Sequence, residues 1–286
     1  MDTFNGYPAW DGSQSSACIV GIGFDGGNVT MDGQLYAPDT IRQCGVWPHA
    51  EMYDRHTGRQ LPTDGIVDYG NVPVFKKMSR SYREAKEVIS DVSGTTDFLV
   101  VLGGDNSVSR FAISGLDYKP YLVLFDSHSD LWEPDGKQPN DHGTWVRDVI
   151  EEELVSGVTV VGHRCLGPTK DVWDKYVVHD IPMRKYRDNP NDALWTIKHQ
   201  AGDHPVYLAI DIDVVDPAFA PATATPEPGG MTSWEILDAV RFLVGQTKVK
   251  AMDITEVLPE LDPAGFPTCR LANRIVVEAL MASAGV

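Results

Sequence analysis

The chain has 286 residues, 42% of them hydrophobic and 23% charged, the proportions of a folded globular protein. Its 41 Asp and Glu against 24 Lys and Arg give a formal charge of −17, which disfavours phosphate backbones and favours cations, so no nucleic-acid partner is expected. The opening MDTFNGYPAW has neither a basic run nor an apolar stretch of leader length, and no later apolar run is long enough to span a bilayer, so a cytoplasmic protein without a membrane partner is expected.

Taken in chain order, short apolar runs alternate with amphipathic stretches. ACIVGIGFD (17–25) reads as a strand and FKKMSRSYREAKEVISDV (75–92) as a helix. The strand DFLVVLGGD (97–105) precedes the helix SVSRFAISGL (107–116), and YLVLFDSHSD (121–130) precedes GTWVRDVIEEELV (143–155). VTVVGHR (158–164) and DALWTIKHQAG (192–202) follow, then the strand PVYLAIDID (205–213). The Pro-rich DPAFAPATATPEPGG (216–230) leaves a strand directly and enters a helix capped by Thr232 or Ser233, as a functional loop does. SWEILDAVRFLVGQ (233–246), VKAMDITEV (249–257) and RLANRIVVEALMASAG (270–285) close the pattern as helix, strand and helix. Nearly continuous apolar strands between helices imply an α/β fold whose parallel sheet is covered on both faces. No linker divides the chain, so residues 1–286 are expected to form one domain. The cysteines Cys18, Cys44, Cys165 and Cys269 are scattered and form no C-x-x-C pair, which suits reduced, packed thiols.

The chemistry gathers at strand ends. One apolar strand runs into Asp126, His128 and Asp130, and another into Asp211 and Asp213, in each case at alternate positions that a strand turns to one side. Carboxylates at the ends of buried strands repel one another and are costly to desolvate unless a cation lies between them. Four carboxylates and an imidazole are hard oxygen and nitrogen donors, suited to Mn²⁺ or a similar ion, and four acids can neutralise two dications. Ions about 3.5–4 Å apart can polarise one water together. Asp105 and Asp216 read as caps or turn formers.

These motifs resemble those of the ureohydrolase family, which includes arginase, agmatinase and guanidinobutyrase. The resemblance covers nearly the whole chain: GIGFDGG, YAPDTIR, GGDNS, DSHSD, DHGTWVRDVIEEEL, DIDVVDPAFAPATATPEPGGMT and DITEVLPELDP. It implies an arginase-like three-layer αβα sandwich with a mainly parallel sheet of about eight strands, two Mn²⁺ per chain and a homo-oligomer. It places bridging carboxylates at Asp126 and Asp211, with His128 and Asp213 completing one ion site and Asp130 belonging to the other. The sixth ligand of the family is the histidine of a G-G-D-H-S motif, and here that position is Asn106, a neutral donor weaker than imidazole toward Mn²⁺. One of the two sites is therefore expected to hold its ion weakly. His142 matches the family's proton shuttle to the leaving amine, and Glu256 the residue that pairs with a substrate guanidinium. The implied reaction is metal-assisted hydrolysis of a guanidino compound to urea and an amine, with Asp130 orienting the attacking water.

WEPDGKQPNDHGTW lacks the Asn- and Thr-rich run with which arginases hold an α-amino acid, so an agmatinase-like substrate is expected. Trp132, Glu133 and Trp145 are candidates to shape its pocket. His163, one residue before an arginine at a strand end, is a candidate to compensate for Asn106. His49, His56, His179, His199 and His204 read as ordinary loop or surface histidines. ATATP replaces the family's Gly-Thr-Gly-Thr-Pro and stiffens that loop. Three alternatives stay open: an unusual guanidine or amidine substrate, another C–N bond cleaved at an altered metal site, or a non-catalytic homologue retaining one metal.

Overall fold

The computed structural model describes residues 3–27, 31–45, 53–55, 58–133, 142–176 and 178–285. His49, His56 and the whole segment between Glu133 and His142 lie outside them. The strands are β1 (Ala17–Ile22), β2 (Tyr53–Asp54), β3 (Arg59–Gln60), β4 (Ile66–Asn71), β5 (Leu99–Gly103), β6 (Tyr121–Phe125), β7 (Gly157–Val161), β8 (His179–Ile181), β9 (Val206–Asp211) and β10 (Val249–Thr255). The helices are α1 (Ala37–Gln43), α2 (Met78–Ser93), α3 (Ser107–Gly115), α4 (Trp145–Glu151), α5 (Lys170–Tyr176), α6 (Met183–Asp188), α7 (Pro190–Ala201), α8 (Ser233–Gln246) and α9 (Pro267–Ser283).

Eight strands form one sheet in the order β4-β1-β5-β10-β9-β6-β7-β8, and β2 with β3 makes a separate two-stranded ribbon. Each neighbouring pair in the large sheet is parallel. Its central strands are buried along their whole length, which is why they read as unbroken apolar runs. Alternate residues supply two cores. Ile19, Val100, Val123, Leu208 and Met252 pack with residues of α1, α7, α8 and α9 on one face. Val20, Val101, Leu122, Ala209 and Ala251 pack with residues of α2, α3 and α4 on the other. The expected three-layer αβα sandwich with a parallel eight-stranded sheet is the observed fold. No helix among the described residues is long and apolar enough to cross a membrane.

Helix α8 begins with Thr232 as its cap. The Thr232 hydroxyl accepts from the Glu235 N–H, and Glu235 reaches back to the Thr232 N–H, which satisfies two otherwise orphaned donors. Strand β4 was less visible in the sequence because Asp68 interrupts it. That carboxylate is buried and takes a two-pronged ion pair from Arg42 of α1, at 2.8 and 2.9 Å, which ties the YAPDTIR segment to the sheet edge.

Parallel strands send all their carboxyl ends to one side. Consequently the loops leaving β1, β5, β10, β9 and β6, five consecutive neighbours in the sheet, emerge together. The two glycines at the end of β5, Gly103 and Gly104, allow this. A Cβ on Gly104 would stand 1.8 Å from the Phe24 carbonyl oxygen, so only glycine lets the loop after β1 lie against the end of β5. Neither Gly103 nor Gly104 has a positive φ, so close approach rather than a glycine turn explains the pair.

Candidate metal centre

Asp126 follows the last residue of β6, and the chain from Asp126 to Asp130 is loop, not strand. The expectation that strand alternation aligns Asp126, His128 and Asp130 is therefore corrected: a turn gathers them. The His128 N–H donates to Asp126 Oδ1 at 2.6 Å, and Asp130 sits at φ 49°, in the left-handed region that a Cβ disfavours. In the same way Asp211 ends β9, while Asp213 lies in the short 3-10 turn Ile212–Val214 and donates its N–H to Asp211 Oδ1 at 2.7 Å. Glu256, just past β10, also has a positive φ, 61°. Two of the acids thus occupy strained backbone, as functional sites often do.

These side chains converge. Asp126, His128 and Asp213 offer ligand atoms that all lie within 4.8 Å of one another. His128 Nδ1 stands 2.9 Å from Asp213 Oδ2 and 3.5 Å from Asp126 Oδ1, with Ser127 Oγ at 3.0 Å. Beside this group the Asn106 amide points into three more carboxylate contacts. Its Nδ2 donates to Asp211 Oδ2 at 2.7 Å, to Asp130 Oδ2 at 3.1 Å and to Asp126 Oδ2 at 3.5 Å. Its Oδ1 accepts from the Thr255 hydroxyl. Asp126 and Asp211 are the carboxylates that face both groups or link them.

The flank carries a second network. Glu256 Oε1 accepts from the Asn106 N–H at 2.9 Å and lies 3.0 Å from His142 Nδ1, while Glu256 Oε2 accepts from Gln34 Nε2 at 3.1 Å. The His142 N–H donates to the Gly27 carbonyl at 3.1 Å, and Asp105 accepts from the Gly27 and Ser107 N–H groups at 2.7 and 2.9 Å. Asp105 is thus the turn former its sequence position suggests. Asp216 plays that part in the Pro-rich loop, accepting from Ala218, Gly229 and Gly230.

The acids are almost wholly buried: Asp126 and Asp213 at 0%, Glu256 at 1%, Asp211 at 2% and Asp130 at 4% exposure. Burial pushes Asp126 and Asp211 well above the ordinary carboxylate range, and neighbouring acids push them further. Burial also lifts Asp130, to about 6, against the opposing charges of His128 and His142 and the bond from Trp145. Asp213 runs the other way: burial opposes its charge, but hydrogen bonding and charge from His128 hold it below the usual range. At His142 burial likewise disfavours the cation, yet the Glu256 bond, with the charges of Glu256, Asp130 and Asp105, lifts the imidazole to about 9. His128 is raised against burial by its bonds to Asp126, Asp213 and Cys165. Closely spaced acids with raised affinity for positive charge are a cation site in electrostatic terms. The donors, carboxylate oxygens with one imidazole nitrogen and one amide, fit hard divalent ions such as Mn²⁺.

Other candidates separate. Trp145 is buried and donates from Nε1 to Asp130 Oδ2 at 2.7 Å, so it fixes that acid. Trp132 is 46% exposed, and Glu133 extends outward to Arg147 at 3.5 Å. His163 does not enter the ligand group among the described residues. Its ring packs edge-on to Trp173, 5.1 Å between centroids, and burial with the charges of His128 and Arg164 pushes its pKa down. ATATP is accommodated without positive φ at Ala222 or Ala224, and the Thr225 hydroxyl reaches Asp213 Oδ2 at 3.4 Å. Sequence reasoning missed Gln34, Thr255 and Arg164. Arg164 donates at 2.7 Å to the carbonyls of Asp213 and Glu227 and so binds the Pro-rich loop to the site. None of the three lies in a ligand motif; their only sequence signal is a polar residue beside an apolar strand end or turn.

Comparison with known proteins matches residues 15–282 to the model of the arginase family. The chain is 29% identical to N(1)-aminopropylagmatine ureohydrolase of Thermococcus kodakarensis, over 97% of this chain and 94% of that protein. It is 31% identical to proclavaminate amidinohydrolase of Streptomyces clavuligerus over 92% of this chain and 86% of that one. The structure of the latter superposes with a TM-score of 0.88, covering 99% and 97% of the two chains at 29% identity. A structure of Trypanosoma cruzi formiminoglutamase with Mn²⁺ shares the fold, with a TM-score of 0.85 at 18% identity and 95% and 94% coverage.

Proposed function

This chain belongs to the arginase family, and on that premise we propose that it is a binuclear-metal hydrolase, with manganese as its ion, that cleaves a guanidino compound to urea and an amine. It is an enzyme acting on C–N bonds of amidine or guanidino groups, with the whole chain working as one domain and assembling as a homo-oligomer in the cytoplasm. The observation that carries the reading is the convergence of Asn106, Asp126, His128, Asp130, Asp211 and Asp213, with the His142–Glu256 pair on its flank.

Asp126, His128, Asp211 and Asp213 would hold one ion, and Asn106, Asp126, Asp130 and Asp211 the other. When bound, such ions lower the pKa of water and offset developing negative charge. The protein residues do the rest. Asp130, fixed by Trp145, orients the attacking water. Glu256 holds the planar cation of the substrate by charge-assisted hydrogen bonds. His142, with Nδ1 engaged by Glu256, delivers a proton to the departing amine from Nε2. The tail is agmatinase-like rather than that of arginine, because the chain lacks an Asn- and Thr-rich α-amino-acid run. The names of the Thermococcus and Streptomyces relatives, an agmatine derivative and an amidine hydrolase, support a guanidino substrate with a modified tail.

The test is product release by the Mn²⁺-loaded chain from arginine, agmatine, 4-guanidinobutyrate and 3-guanidinopropionate. Urea from a guanidine other than arginine is the expected result. Urea from none, or from arginine foremost, would contradict the reading.

A further inference from the structure

Gln34 inverts the usual polarity of a surface turn. It opens the 3-10 turn Gln34–Tyr36, in which Leu35 and Tyr36 are exposed while the polar Gln34 is wholly buried. The turn is pinned from below: Gly33 has φ 130°, and a Cβ there would meet Leu258, two residues beyond Glu256. Packing alone gives no reason to bury a carboxamide here and expose a leucine and a tyrosine. One end of the amide is accounted for, since Nε2 donates to Glu256 Oε2 at 3.1 Å. The other end, Oε1, is buried with no hydrogen-bond partner among the described residues, a state that few native acceptors occupy without a functional reason.

The acceptor capacity of Glu256 supplies that reason. A carboxylate has about four lone-pair directions, two on each oxygen. The Asn106 N–H and His142 Nδ1 occupy both on Oε1, and Gln34 occupies one on Oε2. One remains. A planar guanidinium edge presents two parallel N–H groups and needs two acceptors side by side. Gln34 Oε1 is bonded to the same carbon as the Nε2 that touches Oε2, which keeps it close to that carboxylate oxygen.

We propose that Gln34 is a further substrate-binding residue: its Nε2 fixes Glu256, and its Oε1 accepts an N–H of the substrate, so that one charged and one neutral acceptor together read the NH₂/NH₂ edge of a guanidine. This rests on the guanidino-hydrolase reading above, and it makes Gln34 a discriminator between guanidines and formamidines, which lack that edge.

The experiment uses the full Mn²⁺-loaded chain with two probes of equal tail, agmatine and N-(4-aminobutyl)formamidine, following urea and formamide respectively. Gln34→Met conserves volume and removes both polar ends. The expected result is a kcat/KM for agmatine about 10- to 100-fold lower, mostly through KM, with the formamidine changed far less and metal content and Tm held. Equal KM and kcat for Gln34→Met and the unmodified chain on both probes overturn the assignment of Gln34 alone. Urea from none of the four guanidines with the unmodified chain removes the underlying reading, and the proposal with it; where a guanidine other than agmatine is the one cleaved, that compound and the formamidine of the same tail are the pair compared. If Gln34→Met melts early, the two probes are compared below its Tm: an agmatine-to-formamidine kcat/KM ratio lower by about 10-fold or more supports the assignment, and an equal loss on both probes, as a merely structural tie to Glu256 would give, overturns it.

Discussion

Replacing Asn106 by histidine should tighten the second of the two proposed manganese sites about 10- to 100-fold. The magnitude follows from what the amide does. Its Nδ2 donates to Asp211 at 2.7 Å and to Asp130 at 3.1 Å, and its Oδ1 takes the Thr255 hydroxyl. A cation among those carboxylates must displace the N–H contacts and turn the amide so that oxygen faces inward. Thr255 can follow, because the Ile210 carbonyl lies 3.5 Å from its hydroxyl as a second acceptor. The Asp211 contact is not recovered, and a hydrogen bond to a charged group is worth about 1.5–3 kcal/mol, or about 10–100-fold in affinity. An imidazole presents a lone pair with no competing donor on that nitrogen, and is the stronger donor to Mn²⁺. Calorimetric titration with Mn²⁺, with bound metal counted by elemental analysis, is the assay. The unmodified chain should show one tight and one loose site, and Asn106→His two tight ones. Two equally tight sites in the unmodified chain, untouched by the substitution, would refute the reasoning.

Three further outcomes are expected. His142→Ala should lower turnover about 10²–10³-fold with metal content intact, as loss of a general acid does; ordinary turnover in steady-state assays would remove His142 from the mechanism. Arg42→Met leaves the Asp68 carboxylate buried with backbone N–H donors from Phe4 and Gly70 but no countercharge, which should cost about 3–5 kcal/mol in urea denaturation. A loss under about 1 kcal/mol would show that the pair holds nothing. Asp253 is wholly buried, and burial lifts it to about 6 despite hydrogen bonds such as that from Tyr207 at 2.6 Å. Its folded pKa exceeds the unfolded value of about 3.9, so its contribution to stability is complete below about pH 4 and is lost as pH rises through about 6. At about 1.4 kcal/mol per pH unit the difference amounts to about 3 kcal/mol. Asp253→Asn should therefore gain in Tm relative to the unmodified chain between pH 4.5 and 7.5, and a Tm difference independent of pH would contradict this.

Much of this molecule is legible in its sequence because parallel strands are buried on both faces. The runs at β5, β6 and β9 are apolar throughout, and their acids begin where the strands end. What stayed hidden has physical causes. Strand β4 carries a buried charge, Asp68, whose partner Arg42 is distant in sequence, so no local pattern declares it. Strand β8 is three residues long, too short for periodicity. The gathering of Asp126, His128 and Asp130 looked like strand alternation, but a loop with Asp130 at positive φ produces it, and residue spacing cannot separate the two. Gln34 and Thr255 matter through single hydrogen bonds to residues more than a hundred positions away, which only the fold brings near.

If these loops hold two divalent ions between shared carboxylates, anomalous diffraction at the manganese edge, from crystals grown with Mn²⁺, should show two peaks. Both should touch Asp126 and Asp211, one bounded by His128 and Asp213 and the other by Asp130 and Asn106, the latter at lower occupancy. A single peak, or ions held by other residues such as His163, would contradict that arrangement.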